Sequence, residues 1–331
     1  MQGTRPVALD IVIRDARKED NQALIELDRQ CVMGGEIQLV LDRSPDFFAR
    51  SRAYEHFRMV VAEQEGKIIA VGAVAFKNLR VDGIRDRWAY LYDLRVRPTH
   101  RRRGVARLIG DALRDQIRSA SITTSYSWVI EGNTPSESFV EGRGSVPLRR
   151  CGLALLSGSG GGSSAGFEMI NERGEEVTSL LEATYDSYHF TPPWDHATLS
   201  SAFARLRPLG WQGIYGKRDE GKWAVCFGVW DYSPVMQMVF RGPGSGTRVR
   251  PFFLYPLAWR DSKRLQEGLS AAQAMIAGVG GTLLLPYVPG DLLSAFIPRE
   301  AFQVGMTLYV RSLPQEGRGK DGLVFIDPVD L

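Results

Sequence analysis

The sequence predicts an α/β fold divided into two consecutive domains. The chain has 331 residues, a length typical of two domains. Short runs rich in Val, Ile and Leu alternate with amphipathic segments, which indicates strands alternating with helices. The Gly- and Ser-rich stretch at 157–166 (SGSGGGSSAG) separates two such series and is typical of a flexible linker. A hairpin loop between two strands is the alternative interpretation of this stretch.

The composition is that of an ordinary globular protein, with 44% hydrophobic and 24% charged residues. A net charge of only +3 argues against a protein that works mainly by binding nucleic acid. The cysteines and histidines show no metal-ligand spacing, so we expect no metal. The N-terminus is too charged for a signal peptide, and no apolar run approaches the about 20 residues of a membrane helix. We therefore expect a cytoplasmic protein that binds neither membranes nor nucleic acid.

The first domain is predicted at residues 8–156. An Asp before one segment and a Ser-Pro pair before another are helix-capping signals, and the run QEG at 64–66 is typical of a hairpin turn. The predicted elements are, in order, a strand at 11–14, helices at 20–32 and from 44, strands at 58–63, 67–77 and 88–97, an amphipathic helix at 104–120, a strand at 126–131, a short helix at 135–141 and a strand at 146–156.

Residues 167–313 repeat this order loosely and form the second predicted domain. The tail at 314–331 is polar and then ends in an apolar stretch (LVFIDPVDL), which we expect to dock on the body as an extended strand. The predicted elements of the second domain are a helix at 175–188, strands at 213–215, 223–230 and 252–259, a helix at 262–277, a strand at 282–288, a short helix at 291–297 and a strand at 302–311.

The stretch from Pro98 to Leu108 (PTHRRRGVARL) is predicted to bind clustered phosphates. It joins a strand to a helix, and the first turn of a helix offers unpaired N–H groups and the positive end of the dipole. A glycine there lets an anion approach the backbone, and the arginines add bidentate donors. Neither a dinucleotide fingerprint nor a P-loop is present. A solvated basic loop and a nucleic-acid contact are the alternatives.

The pattern Arg101-x-x-Gly104-x-Ala106 resembles the acetyl-CoA-binding signature of the GNAT N-acetyltransferase superfamily. The run NTPSESF from Asn133 resembles that family's second motif, and the order of elements over 11–156 is similar to the family's order. The resemblance implies an α/β chain of two tandem GNAT-like domains, each a mixed, mostly antiparallel sheet flanked by helices. It implies that acetyl-CoA is the co-substrate and that these residues contact it: Leu94, Arg95, Val96, Arg101, Arg102, Arg103, Gly104, Val105, Ala106, Arg107, Asn133, Ser136 and Phe139.

The resemblance implies transfer of an acetyl group to a primary amine, directly and in a ternary complex. Such a transfer needs a base for the amine and a donor for the oxyanion. Asp93 is the first candidate base, and an ion pair with a neighbouring arginine is its alternative role. Glu131 is the second candidate base. The backbone N–H near Leu94 is expected to polarise the thioester carbonyl.

Strand alternation predicts which side chains share a face with the first candidate base. Asp93 is expected to share its face with Arg95 and Arg97, which follow it at alternate positions. The opposite face is expected to carry Tyr92, Leu94 and Val96.

Two features depart from the family pattern. The family's usual proton donor to the leaving thiolate is a tyrosine, and Val140 occupies that position. A CoA-binding regulatory module with weak or no turnover is therefore the alternative function. In the second half no glycine motif follows Trp259, and Asp261 puts a negative charge where a phosphate would bind. The pattern of one active and one degenerate half is similar to that of plant hookless-type proteins.

The acceptor is expected to be a small-molecule or peptide amine, bound near residues 31–56. Glu36, Asp42 and Asp46 are candidates to attract the amine, and Phe47, Phe48 and Tyr54 are candidates to wall the pocket. Helix caps and core aromatic residues are the alternative roles for the same side chains. The chain is expected to be a monomer or a homodimer.

Overall fold

The computed structural model describes residues 10–34, 38–157, 163–170, 175–242, 245–311 and 322–331. Residues 158–162, half of the predicted linker at 157–166, lie outside these residues. The first half of the chain forms β1 (Ile11–Asp15), α1 (Asn21–Gln30), β2 (Met33–Gly34), β3 (Gln38–Asp42), β4 (His56–Gln64), β5 (Lys67–Val81), β6 (Ile84–Val96), α2 (Val105–Ser119), β7 (Ser125–Ile130), α3 (Thr134–Glu141) and β8 (Val146–Ser157).

The second half contributes a similar series of elements. Strands and helices alternate in both halves, which confirms the predicted fold class. The elements are β9 (Glu168–Ile170), α4 (Glu175–Thr184), β10 (Tyr188–Thr191), α5 (His196–Leu206), β11 (Trp211–Asp219), β12 (Lys222–Asp231), β13 (Gln237–Gly242), β14 (Ser245–Val249), β15 (Pro251–Trp259), α6 (Ser262–Ala277), β16 (Thr282–Tyr287), β17 (Phe302–Arg311) and β18 (Leu323–Val324).

Two predicted helices do not form as α-helices. The segment from residue 44 contains only turns and the 3₁₀ turn Arg50–Ala53. Side chains bind its backbone instead, since Asn21 accepts from the N–H of Phe47 and Asp46 from that of Phe48. Such local bonds compete with helix formation. The segment predicted at 291–297 is likewise a 3₁₀ turn at Leu293–Phe296.

One sheet runs through both halves of the chain. In the described residues it has 14 strands, and its main order is β1-β4-β5-β6-β7-β17-β8-β16-β15-β12-β11-β9. The two halves exchange strands at the centre: β17 of the second half lies between β7 and β8, and β8 of the first half lies between β17 and β16. The predicted division at 8–156 and 167–313 stays a prediction, and the sheet is continuous across it.

A smaller sheet also joins the halves. Its order is β14-β13-β3-β2, so β3 of the first half pairs with β13 of the second, with Leu41 opposite Met238. The chain end forms the two-residue strand β18, which pairs with β10, and then a buried 3₁₀ turn at Pro328–Asp330. The tail therefore docks on the body as predicted, but only a short part of its described region is extended.

The faces of β4, β5 and β6 are covered differently. The apolar face of α2 covers one of them, and its buried residues Val105, Ile109, Leu113 and Ile117 follow the predicted helical spacing. The other face joins a continuous core that extends through both halves. We call these the α2 side and the inter-half side of the sheet.

A buried glycine in β12 offers a test of the packing between β12 and β15. A Cβ at Gly228 would lie 2.0 Å from the carbonyl oxygen of Tyr255, which also accepts from the Trp211 indole. We expect Gly228→Ala to lower the free energy of unfolding by about 1–3 kcal/mol, because the backbone must move. Urea denaturation measures this. Gly278→Ala, where a Cβ meets nothing closer than 3.4 Å, is the control, and equal stability of the two variants would contradict the packing argument.

Candidate active site

Two parallel strands at the centre of the first half separate after a short pairing. Ala89 pairs with Ser125 and Tyr90 with Tyr126. β6 then continues to Val96 and β7 to Ile130 without further pairing between these two strands. The facing strand edges are therefore open to a ligand that can bond with the backbone.

A β-bulge in β6 lies beside this opening. Tyr92 and Arg95 pair with residues two positions apart on β5, so Asp93 and Leu94 together oppose Gly72. Asp93 has φ of 55°, in the left-handed region that residues other than glycine rarely adopt. A bulge of this kind bends the strand and re-aims its side chains.

The bulge overturns the predicted alternation. Tyr92 packs in the core of the inter-half side, whereas Leu94 and Val96 pack on the α2 side. The prediction that these three share one face is wrong, because the extra residue reverses the alternation after Asp93.

A cavity of about 520 Å³ occupies the opening between β6 and β7. Its lining includes residues from both faces of the sheet, so it connects the two sides. On the α2 side these include Leu94, Gly110, Leu113, Asn133, Phe139 and Val140. On the inter-half side they include Leu41, Tyr92, Tyr126, Met238, Phe253 and Asp330.

The loop from β6 to α2 presents backbone donors at the open end of the strands. Arg102 and Gly104 have left-handed backbones, with φ of 59° and 81°. The carbonyl of Gly104 accepts from Arg107 and Leu108, so the N–H groups of Val105 and Ala106 at the start of α2 have no helical acceptor in the described chain. A Cβ at Gly104 would meet no atom within 4 Å, which leaves room above these amides for an anion.

The loop arginines differ in what they contact. Arg101 donates through Nε to the Val96 carbonyl at 3.2 Å. Arg102 and Arg103 are exposed and form no ion pair with the described residues. Residues 101–107 lie at the open end, outside the cavity lining. Arg95 lines the cavity, but its Nε pairs with Asp28 at 3.1 Å, so a carboxylate already neutralises its charge.

The second predicted motif forms the start of α3. Asn133 is the N-cap and accepts from the N–H of Ser136. Asn133, Ser136 and Phe139 line the same cavity as Leu94, so residues predicted from two separate motifs lie together. Val140 lines the cavity as well, at the position where the family pattern has a tyrosine.

Asp93 is held by two arginines. Its carboxylate accepts from Arg43 at 2.5 and 2.7 Å and from Arg50 at 2.7 Å, and all three side chains are buried. Burial alone would raise the pKa of Asp93, but the charges of Arg43 and Arg50 hold it well below the usual range. A carboxylate bound in this way is a poor proton acceptor. The geometry thus argues against a base and matches the ion-pair alternative, although the arginines come from another segment.

Glu131, the second predicted base, lies outside the cavity lining. Its carboxylate accepts from Arg150 Nε at 2.8 Å on the surface of β8. The Glu131 side chain packs over Gly305 of β17, a strand that sequence reasoning assigned to the other half.

The structure brings one carboxylate to the cavity that sequence reasoning missed. Asp330 is 3% exposed, accepts from the Tyr126 hydroxyl at 2.8 Å and pairs with Lys77 at 2.6 Å. Burial raises the pKa of Asp330 although the Lys77 charge opposes this. The apolar run at the chain end is the only feature of the sequence that points to Asp330, because no motif marks this residue.

The predicted acceptor region supplies mainly structural contacts. Asp42 pairs with Arg29, and Asp46 pairs with Arg52. Phe47 and Tyr54 are core residues. Glu36 lies outside the described residues. Two residues of the predicted region, Leu41 of β3 and Arg50, do line the cavity, and β13, β15 and the chain end also contribute to its inter-half wall.

The second half has the corresponding strand pair, but the space between its strands is nearly filled by side chains. β15 and β16 are parallel and pair only at Pro251–Thr282 and Phe252–Leu283. The space between these strands is only about 30 Å³, and its lining includes Tyr185, whose hydroxyl donates to the Leu257 carbonyl at 2.7 Å.

The helix after β15 also lacks a free anion site. The Asp261 carboxylate accepts from the N–H of Arg264 at 2.9 Å and caps α6. A carboxylate therefore occupies the N-terminus where a phosphate would bind.

Comparison with known proteins agrees with this geometry. Residues 22–144 match the model of the Acetyltransferase (GNAT) family. These residues form a GNAT domain. The match covers both motifs, the opening between β6 and β7 and the loop from β6 to α2. No curated protein matches the chain, so the resemblance to hookless-type proteins stays a prediction.

Solved structures extend the likeness of the GNAT domain's fold to nearly the whole chain. N-myristoyltransferase of Saccharomyces cerevisiae, with bound myristoyl-CoA and inhibitors, has a TM-score of 0.69 at 12% identity, over 98% of this chain and 89% of that one. GCN5-related N-acetyltransferases of Anabaena variabilis and Kribbella flavida have TM-scores of 0.53 and 0.50 at 13% and 11% identity. They cover 90% and 93% of this chain, and 72% of each neighbour. The shared fold is the tandem GNAT-like architecture.

The parts of the chain that the structure describes contain neither a membrane-spanning helix nor a group of metal-ligating side chains. No helix there is long and apolar enough to cross a bilayer. No three of its His, Cys, Asp or Glu side chains are grouped so that they could bind a metal ion.

The two predicted bases offer a matched test. We expect Asp93→Asn to lower the free energy of unfolding by about 3–5 kcal/mol, because it leaves buried Arg43 and Arg50 with an uncharged partner. Since the folded pKa is lowered, the contribution of Asp93 is present above about pH 4 and is lost as the pH falls toward the folded pKa. Denaturation at pH 7 measures the loss.

Glu131→Gln is the control for this test, because its pair with Arg150 is exposed. We expect a change of about 0–1 kcal/mol for it. Similar losses in the two variants would contradict the buried anchor assigned to Asp93.

Proposed function

We propose that the protein is an N-acetyltransferase that moves an acetyl group from acetyl-CoA to a primary amine. The observation that carries the proposal is the cavity between β6 and β7, which connects both faces of the sheet. A donor that enters from the α2 side and an acceptor that enters from the inter-half side can meet there. This geometry supports direct transfer in a ternary complex as the proposed mechanism.

The cofactor is proposed to lie along the open edge of β6. The loop amides and Arg101, Arg102, Arg103 and Arg107 would bind the pyrophosphate, and Leu94, Asn133, Ser136 and Phe139 would flank the pantetheine arm. The bulge displaces the backbone near Leu94 from regular pairing. An N–H group at that position can stabilise the oxyanion of the tetrahedral intermediate.

Asp330 is the proposed base on the inter-half side. The amine nitrogen attacks the thioester carbonyl carbon, the N–C bond forms, the C–S bond breaks and CoA leaves as the thiolate. The proton that the amine loses passes to Asp330, directly or through Tyr126, whose hydroxyl bonds to it. Val140 cannot protonate the thiolate, and a thiol of ordinary pKa is a fair leaving group without help.

The second half is proposed to act as the wall of the acceptor chamber rather than as a second CoA site. The small space at Tyr185 and the Asp261 cap support this role. Met238 and Phe253 of that half line the acceptor end of the cavity. The amine is proposed to belong to a small molecule or a peptide. The oligomeric state and the cellular location stay predictions.

A CoA-binding module without turnover is the second candidate function. The observation that favours it is Val140, which lines the cavity where a proton donor would act. This candidate shares the cofactor site and differs only in the absence of thiol release with any amine.

Acetyl-CoA is expected to raise the melting temperature of the protein, since it binds only the folded state. Saturation to 100 times Kd would stabilise the fold by about 2.7 kcal/mol. We expect Gly104→Glu to abolish the shift, because a carboxylate would occupy the anion site. Gly83→Glu is the control, since Gly83 also has positive φ and open space around it but lies in the hairpin between β5 and β6. A shift that persists in Gly104→Glu would exclude this loop as the cofactor site.

Asp330→Asn is expected to lower kcat by about 10²–10⁴-fold and to leave the acetyl-CoA shift unchanged. Asp327→Asn is the control, because Asp327 also pairs with Lys77 but lies outside the cavity lining. The acidic limb of the kcat profile reports protonation of the base, so it should disappear in Asp330→Asn and remain in Asp327→Asn. Equal losses of kcat in the two variants would indicate a structural role for both.

A further inference from the structure

Four arginines line the cavity on its α2 side, and we call them the arginine cluster. Arg114 and Arg118 belong to the last turns of α2, Arg143 follows α3 and Arg311 ends β17. The proposed function uses none of them. Their position and their charge balance both point to a ligand with an anionic group.

The cluster is short of counter-charge. Arg143 pairs with Asp111 at 2.6 Å, and Arg114 lies 3.8 Å from the same carboxylate. Arg311 forms no ion pair with any described residue. Arg118 meets only Asp115, at 3.7 Å, and both side chains are largely exposed. The Asp111 carboxylate therefore serves both Arg114 and Arg143, and Arg311 has no counter-charge among the described residues.

Arg114 shows how this shortage of counter-charge affects one guanidinium group. Its Nε is buried and has no hydrogen-bond partner among the described residues. Burial and the charges of Arg143 and Arg311 lower the pKa of Arg114. An anion in the cavity would relieve both effects, because it would accept from the free donor and offset the repulsion.

The cluster lies far from the loop that is proposed to bind pyrophosphate. Arg114 follows Gly104 by ten residues, about 15 Å along α2, and Arg118 lies about 6 Å further. Arg311 pairs with Ser125, the residue of β7 that also pairs with β6 at the closed end of the opening. Arg114, Arg118 and Arg311 therefore lie toward the closed end of the opening, away from the loop, whereas Arg143 lies beside Gly110 and Phe139.

Apolar side chains make up much of the cavity wall near the cluster. They include Leu91, Leu113, Ile117, Ile122 and Val129. An acetyl group would leave this part of the cavity empty. A chain of several methylene groups would fill it, and an anionic end on that chain would reach the arginines.

We propose that the same site transfers ω-carboxyacyl groups, with the CoA thioester of a dicarboxylic acid as donor and the arginine cluster as the site for its free carboxylate. The proposal rests on the proposed function. The amine attacks the thioester carbonyl, the N–C bond forms, the C–S bond breaks and the CoA thiolate leaves. The amine gives its proton to the base, and the distal carboxylate passes unchanged into the amide product.

Binding of two acyl-CoA molecules of equal length tests the proposal without a known acceptor. Adipoyl-CoA and hexanoyl-CoA differ only in the terminal carboxylate, so the ratio of their Kd values reports the arginine cluster. Isothermal titration of the full chain is expected to give at least tenfold tighter binding of adipoyl-CoA. Arg311→Met is expected to reduce the ratio about tenfold with binding of hexanoyl-CoA within twofold of wild type.

The control and the second variant make each outcome decisive. Arg150→Met removes an exposed arginine outside the cavity and is expected to change neither Kd. If Arg311→Met fails to fold, Arg118→Gln, at a largely exposed side chain, is expected to reduce the ratio less but in the same direction.

Three results would overturn the proposal in distinguishable ways. Equal binding of the two thioesters to the wild type would show that the cluster does not recognise the carboxylate. Equal weakening of adipoyl-CoA, hexanoyl-CoA and free CoA by Arg311→Met would assign the cluster to a phosphate of the cofactor. Failure of every CoA compound to bind would refute the proposed function itself.

Discussion

Arg50 connects the parts of the structure on which the candidate site depends. Its guanidinium donates to the Asp93 carboxylate at the bulge of β6 and to the backbone carbonyl of Asp330 at the chain end. Burial of these charges is costly, so the network is stable only when every partner is present. The positions of the bulge, the cavity wall and the Asp330 segment of the tail therefore all depend on the buried Arg50 guanidinium. Changes at Arg50 or Asp93 should consequently affect both the fold and the site.

The exchange of β8 and β17 provides the second constraint. β7 pairs with β17 along the full length of β7. β7 is therefore held in the sheet although it does not pair with β6 beyond Tyr90. The separation of β6 from β7 therefore needs no ligand to maintain it. The same exchange places residues from both halves around one cavity. Neither half could form this site alone, since each lacks the strand that the other supplies.

The charges around the cavity are arranged by side. The α2 side carries the arginine cluster, and the loop arginines lie just outside the lining. On the inter-half side Arg50 and Arg95 are paired with carboxylates, and Asp330 bonds to the Tyr126 hydroxyl. In the proposed reaction an anionic donor would approach from the α2 side and an amine from the inter-half side, so that the opening would hold them close together. This arrangement is consistent with transfer without a covalent acyl-enzyme.

Local patterns determined most of the secondary structure of the first half. Strands β4 to β7 and helices α2 and α3 lie within a few residues of their predicted bounds, because apolar periodicity and turn residues act over short distances. The motifs around Gly104 and Asn133 were visible for the same reason. A family signature is a local feature, and both motifs lie at the ends of strongly patterned strands. The family model then confirmed the GNAT resemblance of this region.

The tertiary structure decided where the chemistry lies. Asp93 was a reasonable base on its strand, but Arg43 and Arg50 reach it from a segment that alternation cannot place. Asp330 is more than 200 residues from Tyr126 in the chain and meets it only because the tail is buried between the halves. The strand exchange and the arginine cluster are likewise products of long-range packing. A sequence determines its local conformations directly, whereas pairing between distant segments depends on which surfaces bury each other, and no local pattern records that choice.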